Sequence, residues 1–110
     1  MIRLIALSFL FLFSFAVAQN YVATGDTKII RINSYNQFGD GDVTVDVETP
    51  IPQCPHGYWL TTTDQGFNAN LSLILAAYQA GNTVKVWGLP DQLWPGSSGT
   101  VCKLYSVLLD

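Results

Sequence analysis

Charge is scarce in this chain. Only 12% of the 110 residues are Asp, Glu, Lys or Arg, and five of those are basic. A nucleic-acid surface needs clustered Lys and Arg to displace phosphate counterions, so a net charge of −3 excludes that partner class. Histidine is nearly absent as well: His56 stands alone, and the two cysteines, Cys54 and Cys102, are far apart. A zinc site or a thiol redox pair needs several histidines or a C-x-x-C spacing, so neither is expected. No phosphate-binding glycine loop or other cofactor motif is present. The length leaves room for one domain, and the 49% hydrophobic content is enough to build its core.

Part of that apolar content belongs to the N-terminus. One basic residue, Arg3, precedes an apolar run from Leu4 to Ala18 that is interrupted only by Ser8 and Ser14 and closes on Ala16-Val17-Ala18. A charged head, an apolar middle and a small-x-small exit describe a cleaved secretory signal over residues 1–18. A membrane anchor is the competing reading, but the run stops short of the ~20 residues needed to cross hydrocarbon. Cleavage near Ala18 would leave 19–110 as one secreted or periplasmic domain, with no membrane span in the mature chain. In an oxidising compartment the default for Cys54 and Cys102 is one disulfide.

Periodicity orders the rest. Asn20 to Thr27 has no clear period and reads as a lead-in. Lys28 to Tyr35 is rich in β-branched residues, with Ile30 and Ile32 pointing one way and Ile29, Arg31 and Asn33 the other, which suits a strand buried mainly on one face. Phe38-Gly39-Asp40-Gly41 supplies a tight turn. Asp42 to Glu48 then alternates strictly, Val43, Val45 and Val47 inward and the polar residues outward, which predicts a hairpin. Prolines 50, 52 and 55 make an irregular connection, and Gly57 to Thr62 is the third strand. From Asn68 to Ala80 the period becomes helical, with Leu71, Ile74, Leu75 and Tyr78 in one stripe and Asn68 as the N-cap. Alternation returns in Thr83–Trp87 and Thr100–Leu108, separated by a loop from Gly88 to Gly99. The expected fold is mainly β: a five-stranded Greek-key barrel of the OB-fold type with one helix between strands 3 and 4. An α+β sandwich has the same element order.

Chemistry is sparse on this scaffold. Asp46 and Glu48 share a strand face, but carboxylates on an alternating strand are ordinarily a solvated surface. Asp40-Gly41-Asp42 lacks the further ligands of a calcium loop and suits a hairpin. His56 reads as a turn residue beside the disulfide, and the Asn70-Leu71-Ser72 sequon falls in a helical turn. The expectation is therefore a protein that is not an enzyme and carries no cofactor or metal. OB-folds bind saccharides and oligonucleotides between the loops joining strands 1–2 and 4–5. Here those loops supply Asn36, Gln37 and Phe38 on one side and Trp87, Asp91, Gln92 and Trp94 on the other. Indole faces beside amides and carboxylates suit sugar rings. Trp94 divides evenly between ligand contact and packing, and Trp59 is assigned to packing.

Three segments carry a family resemblance over about Lys28 to Leu108: Cys54-Pro55-His56-Gly57-Tyr58-Trp59, the run Ala77-Tyr78-Gln79-Ala80-Gly81-Asn82-Thr83-Val84-Lys85-Val86, and Val101-Cys102-Lys103. In order and spacing the chain resembles the subtilase cytotoxin B-subunit family of bacterial AB5 toxins and related small secreted proteins. The resemblance implies a bacterial source, an OB-fold, recognition of sialylated glycans and a homo-oligomer, in the toxins a pentamer. The toxin pocket's serine corresponds to Asp26 or Thr27 and its tyrosine to Gly88, and the second toxin disulfide has no counterpart. The functional expectation is a secreted, non-enzymatic module for a carbohydrate or glycoconjugate. The alternative is a protein-interaction or inhibitor module without a glycan ligand.

Overall fold

A computed structural model describes residues 20–110, so the leader reading of 1–18 lies outside the described residues. The chain forms β1 (Val22–Ala23), β2 (Ile29–Ser34), β3 (Val43–Val47), β4 (Tyr58–Leu60), α1 (Phe67–Ala80), β5 (Val84–Leu93) and β6 (Cys102–Leu109). The strands make one mixed sheet in the order β1-β5-β6-β4-β3-β2, antiparallel throughout except where β4 runs parallel to β6. The mainly β class holds. Six strands replace the five expected, and the helix accordingly lies between the fourth and fifth strands, not between the third and fourth. The extra strand is the supposed lead-in. At two residues β1 is too short to show a period, and its pairing with Trp87 and Gly88 of β5 is a long-range event. Thr24 and Thr27 continue that pairing through backbone bonds to Val86 and Val84, so residues 22–34 contact β5 at one end and β3 at the other.

Val43, Val45 and Val47 are buried as their alternation predicts, together with Tyr58 and Leu60 of β4. In β2 the expected grouping of Ile30 with Ile32 breaks at the start of the strand. The register slips between Ile29 and Arg31, so Ile30 is an extra, exposed residue while Ile29 and Ile32 face the core. The helix begins at Phe67 after Gly66, without a side-chain cap from Asn68. Its buried side is turned toward Ile74 and Ala77, with Phe67 and Leu71 partly buried beside them, and Leu75 and Tyr78 are left exposed. The pattern of apolar residues is wider than the stripe that meets the sheet, so periodicity alone misplaced its centre. The long Gly88–Gly99 loop is also shorter than expected, because β5 continues to Leu93 through irregular pairing with β6.

Cys54 and Cys102 are joined, with Cα atoms 5.6 Å apart and 48 positions between them in sequence. Constraining a loop of that length in the unfolded chain contributes about 4 kcal/mol. Both cysteines are fully buried in the same core as Tyr58, Ile74 and Val86. Among the described residues no helix is long and apolar enough to cross a membrane.

Candidate functional site

The turn between β2 and β3 is locked, and Asp42 is the lock. Alternation predicted Asp42 in solvent, but it is 3% exposed, with one carboxylate oxygen accepting the Trp94 Nε1–H at 2.8 Å and the other accepting the Asp40 backbone N–H at 3.3 Å. Gly39 and Gly41, at φ 61° and 84°, allow the chain to fold tightly over it. Trp94 is 6% exposed and lies under Tyr35 and Phe38, with ring centroids 5.1 and 5.2 Å away. Of the two readings open for Trp94, its position fits packing. A buried carboxylate is tolerated when charge-assisted hydrogen bonds replace its water, and the indole supplies one.

The other sequence-predicted site residues disperse. Asn36 and Gln37 are exposed on the turn, and Phe38 covers Trp94. Asp91 and Gln92 are exposed near the end of β5. Trp87 lies elsewhere: half-buried, paired with Ala23 and Ser106, it lines a shallow hollow of about 230 Å³ with Tyr105 and Leu108. Tyr21 stacks on Tyr105 in the same region at 4.1 Å, and a hydrogen bond to Tyr105 raises the Tyr21 phenol's pKa.

A second constellation, missed in the sequence, forms where β4 meets β6. Alternation in β4 sends Tyr58 and Leu60 inward and leaves Trp59 on the opposite face. The parallel register pairs Trp59 with Lys103, whose Nζ lies 3.9 Å from the indole centroid, within cation–π range. Trp59 Nε1 donates to the Gln92 carbonyl at 3.0 Å. Asp64 completes the group from the turn after β4. Its Oδ2 accepts the Thr61 N–H at 2.9 Å, and its Oδ1 lies 2.5 Å from Lys103 Nζ. Side-chain exposures of 14% for Lys103 and 24% for Asp64 make this pair far more enclosed than the surface pair Arg31–Asp46, where they are 74% and 34%.

Lys103 and Asp64 separate two adjoining cavities. One, of about 350 Å³, is walled by Trp59, Asp40, Thr63 and Pro95; the other, of about 500 Å³, by Gln92, Gln65, Asn70 and Tyr105. Both fall within the usual size range of small-molecule sites, about 300–1,000 Å³. Gln92 is the one residue foreseen for the site that borders this pair of cavities. Trp59 could have been found from its alternation with Tyr58, but its partnership with Lys103 depends on a pairing between strands more than forty positions apart.

His56 is held structurally. Its Nδ1 accepts the Thr100 N–H at 2.8 Å, and the His56 N–H donates to the Thr100 carbonyl at 3.2 Å, tying the loop that carries Cys54 to the segment leading into β6 and Cys102. Burial pushes the Tyr58 phenol up to about 12, and its hydroxyl has no hydrogen-bond partner among the described residues. The described residues contain no cluster of His, Cys, Asp or Glu suited to a metal ion.

No family model, curated protein or solved structure matches the chain. Asp26, Thr27 and Gly88, which the sequence resemblance sets against the toxin pocket, have structural work here. Thr27 is buried and its hydroxyl accepts the Thr49 N–H at 3.0 Å, while Asp26 lies 3.9 Å from Lys85. Gly88 is pressed against Tyr58: a β-carbon there would come within 2.6 Å of the Tyr58 ring. A tyrosine at 88 would therefore require the core to move.

Proposed function

We propose that the protein is an exported, non-enzymatic binding module that recognises a carbohydrate or glycoconjugate on an OB-type barrel, as the resemblance to the toxin B subunits implies. Support for the barrel comes from the strand pairing. Residues 22–34 bond to β5 through β1 and Thr27 and to β3 through β2, so a single bent strand would join the two edges of the sheet. Counted that way, five strands remain, in Greek-key order with one parallel pair, and the helix follows the third. Export rests on the leader over residues 1–18 and agrees with the disulfide.

One observation carries the ligand class: the adjoining cavities walled by Trp59, Asp40 and Thr63 on one side and Gln92, Gln65 and Asn70 on the other. An aromatic wall for sugar C–H groups beside several acceptors and amides for hydroxyls is the chemistry that saccharide recognition uses. The geometry favours this groove over the loop residues Asn36, Gln37, Phe38 and Trp94, since the tryptophan among them is buried. A glycan array with the mature protein tests the reading. At least one glycan is retained by the native protein and lost by a Trp59→Ala variant that keeps its native circular dichroism; absence of binding to every glycan overturns it.

A second reading, a protein partner or a second copy of the chain, is favoured by the outward flank of α1. Leu75 and Tyr78, one turn apart, are 45% and 44% exposed. Light scattering on the mature protein measures whether that flank is used between copies; the resemblance implies a ring of five.

A further inference from the structure

We infer that the groove takes an uncharged oligosaccharide at least two sugars long and discriminates against sialylated or sulfated glycans. This rests on the carbohydrate reading above and departs from what the toxin resemblance implies. Among the described residues Lys103 is the one cation lining either cavity, and it is already engaged, with Asp64 Oδ1 2.5 Å away and the Trp59 ring 3.9 Å away. An anionic sugar would have to displace Asp64 from this lysine. It would also meet the exposed Asp40 and approach the charge of Asp42, which is buried but lines the Trp59 cavity together with Asp64. Three carboxylates against one ammonium make a field that repels anions, and the enclosed setting of Lys103 and Asp64 limits screening by salt.

The same groups serve neutral hydroxyls. The Asp40 carboxylate is exposed and makes no ion pair or hydrogen bond among the described residues, so its two oxygens can accept from adjacent hydroxyls. Thr63, exposed in the same cavity, adds a hydroxyl that can donate or accept. The length requirement follows from the two cavities sharing Asp64 and Lys103. One sugar lies against the part of the Trp59 ring that Lys103 does not cover, and the next lies among the amides of Gln92, Gln65 and Asn70.

The test uses the mature, disulfide-bonded protein on an array of matched pairs, lactose with 3′-sialyllactose and N-acetyllactosamine with its sulfated form, alongside neutral glucose- and mannose-based oligomers. Titration calorimetry follows on whatever is retained. The expected result is a neutral oligosaccharide bound at least tenfold more tightly than its sialylated or sulfated counterpart. Trp59→Ala weakens it at least tenfold, and Asp40→Asn narrows the discrimination. Thermal melts establish that both variants fold, and Trp59→Phe, which keeps an aromatic wall, retains part of the affinity. Preference for the sialylated or sulfated member with the same Trp59 dependence overturns the inference and leaves the carbohydrate reading standing. A neutral glycan bound equally well by Trp59→Ala refutes the groove as its site, and silence across the array removes both readings.

Discussion

Trp94 and Trp59 make the same donation, an indole N–H to an oxygen, in opposite settings. Trp94 is buried, gives its hydrogen to a buried carboxylate and lies under two further rings. Trp59 is half-buried, gives its hydrogen to the backbone of Gln92 and has a lysine over its face. One site has spent its chemistry on holding a turn in place. The other retains wall and polar groups around open volume. In a domain this small, the tryptophan in the expected binding loop fastens that loop, and the one assigned to packing borders the groove.

The largest effect should separate the two. Trp94→Ala removes a buried ring and leaves Asp42 without its indole partner, for an expected cost of about 3–5 kcal/mol in urea denaturation. Trp59→Ala, on the outer face, should cost about 1–2 kcal/mol. Equal losses would break the comparison, because they would give Trp59 the same structural duty as Trp94.

How far the sequence anticipated this depends on the range of each interaction. The valines of β3 were legible because one strand with one buried face writes its own period. Ile30 was misread because a bulge adds a residue without leaving a local mark, and β1 because two residues cannot show alternation. Asp42 was assigned to solvent by the same alternation that worked for its neighbours; what buries it is Trp94, 52 positions away. Lys103 and Trp59 meet through the parallel β4–β6 pairing, which no pattern within either segment encodes. Long-range pairing positions nearly all of the groove, and so the groove was the least legible part of the molecule.

Tyr58, the inward neighbour of Trp59, sharpens the contrast between core and groove through pH. Its folded-state pKa of about 12 lies above the ordinary value of 10.0, so the folded protein holds the proton more tightly than the unfolded chain. The stability linked to it is fully present below pH 10 and is lost as pH rises toward 12, by up to about 3 kcal/mol. Tyr58→Phe should remove that part of the alkaline decline. At neutral pH it should be close to neutral in stability, because the hydroxyl it deletes is buried without a partner among the described residues. Chemical denaturation at pH 7, 10 and 11.5 measures both effects, and an unchanged alkaline decline in the variant would assign it to other tyrosines.

The smallest effects compare the two ion pairs. Arg31→Ala breaks a pair whose arginine is 74% exposed and should change stability by less than about 0.5 kcal/mol. Lys103→Met keeps an apolar stem against Trp59 and deletes only the charge. It should cost about 1 kcal/mol, because Asp64 loses one partner while its other oxygen keeps the Thr61 N–H. The difference should persist in 0.5 M salt, since a pair at 14% and 24% exposure is poorly screened whereas Arg31–Asp46 is open to counterions. If both variants lose equally little, the Lys103–Asp64 pair is no firmer than an ordinary surface contact. Lys103 would then be free to turn toward an anionic ligand, and the preference for neutral glycans would lose its physical basis.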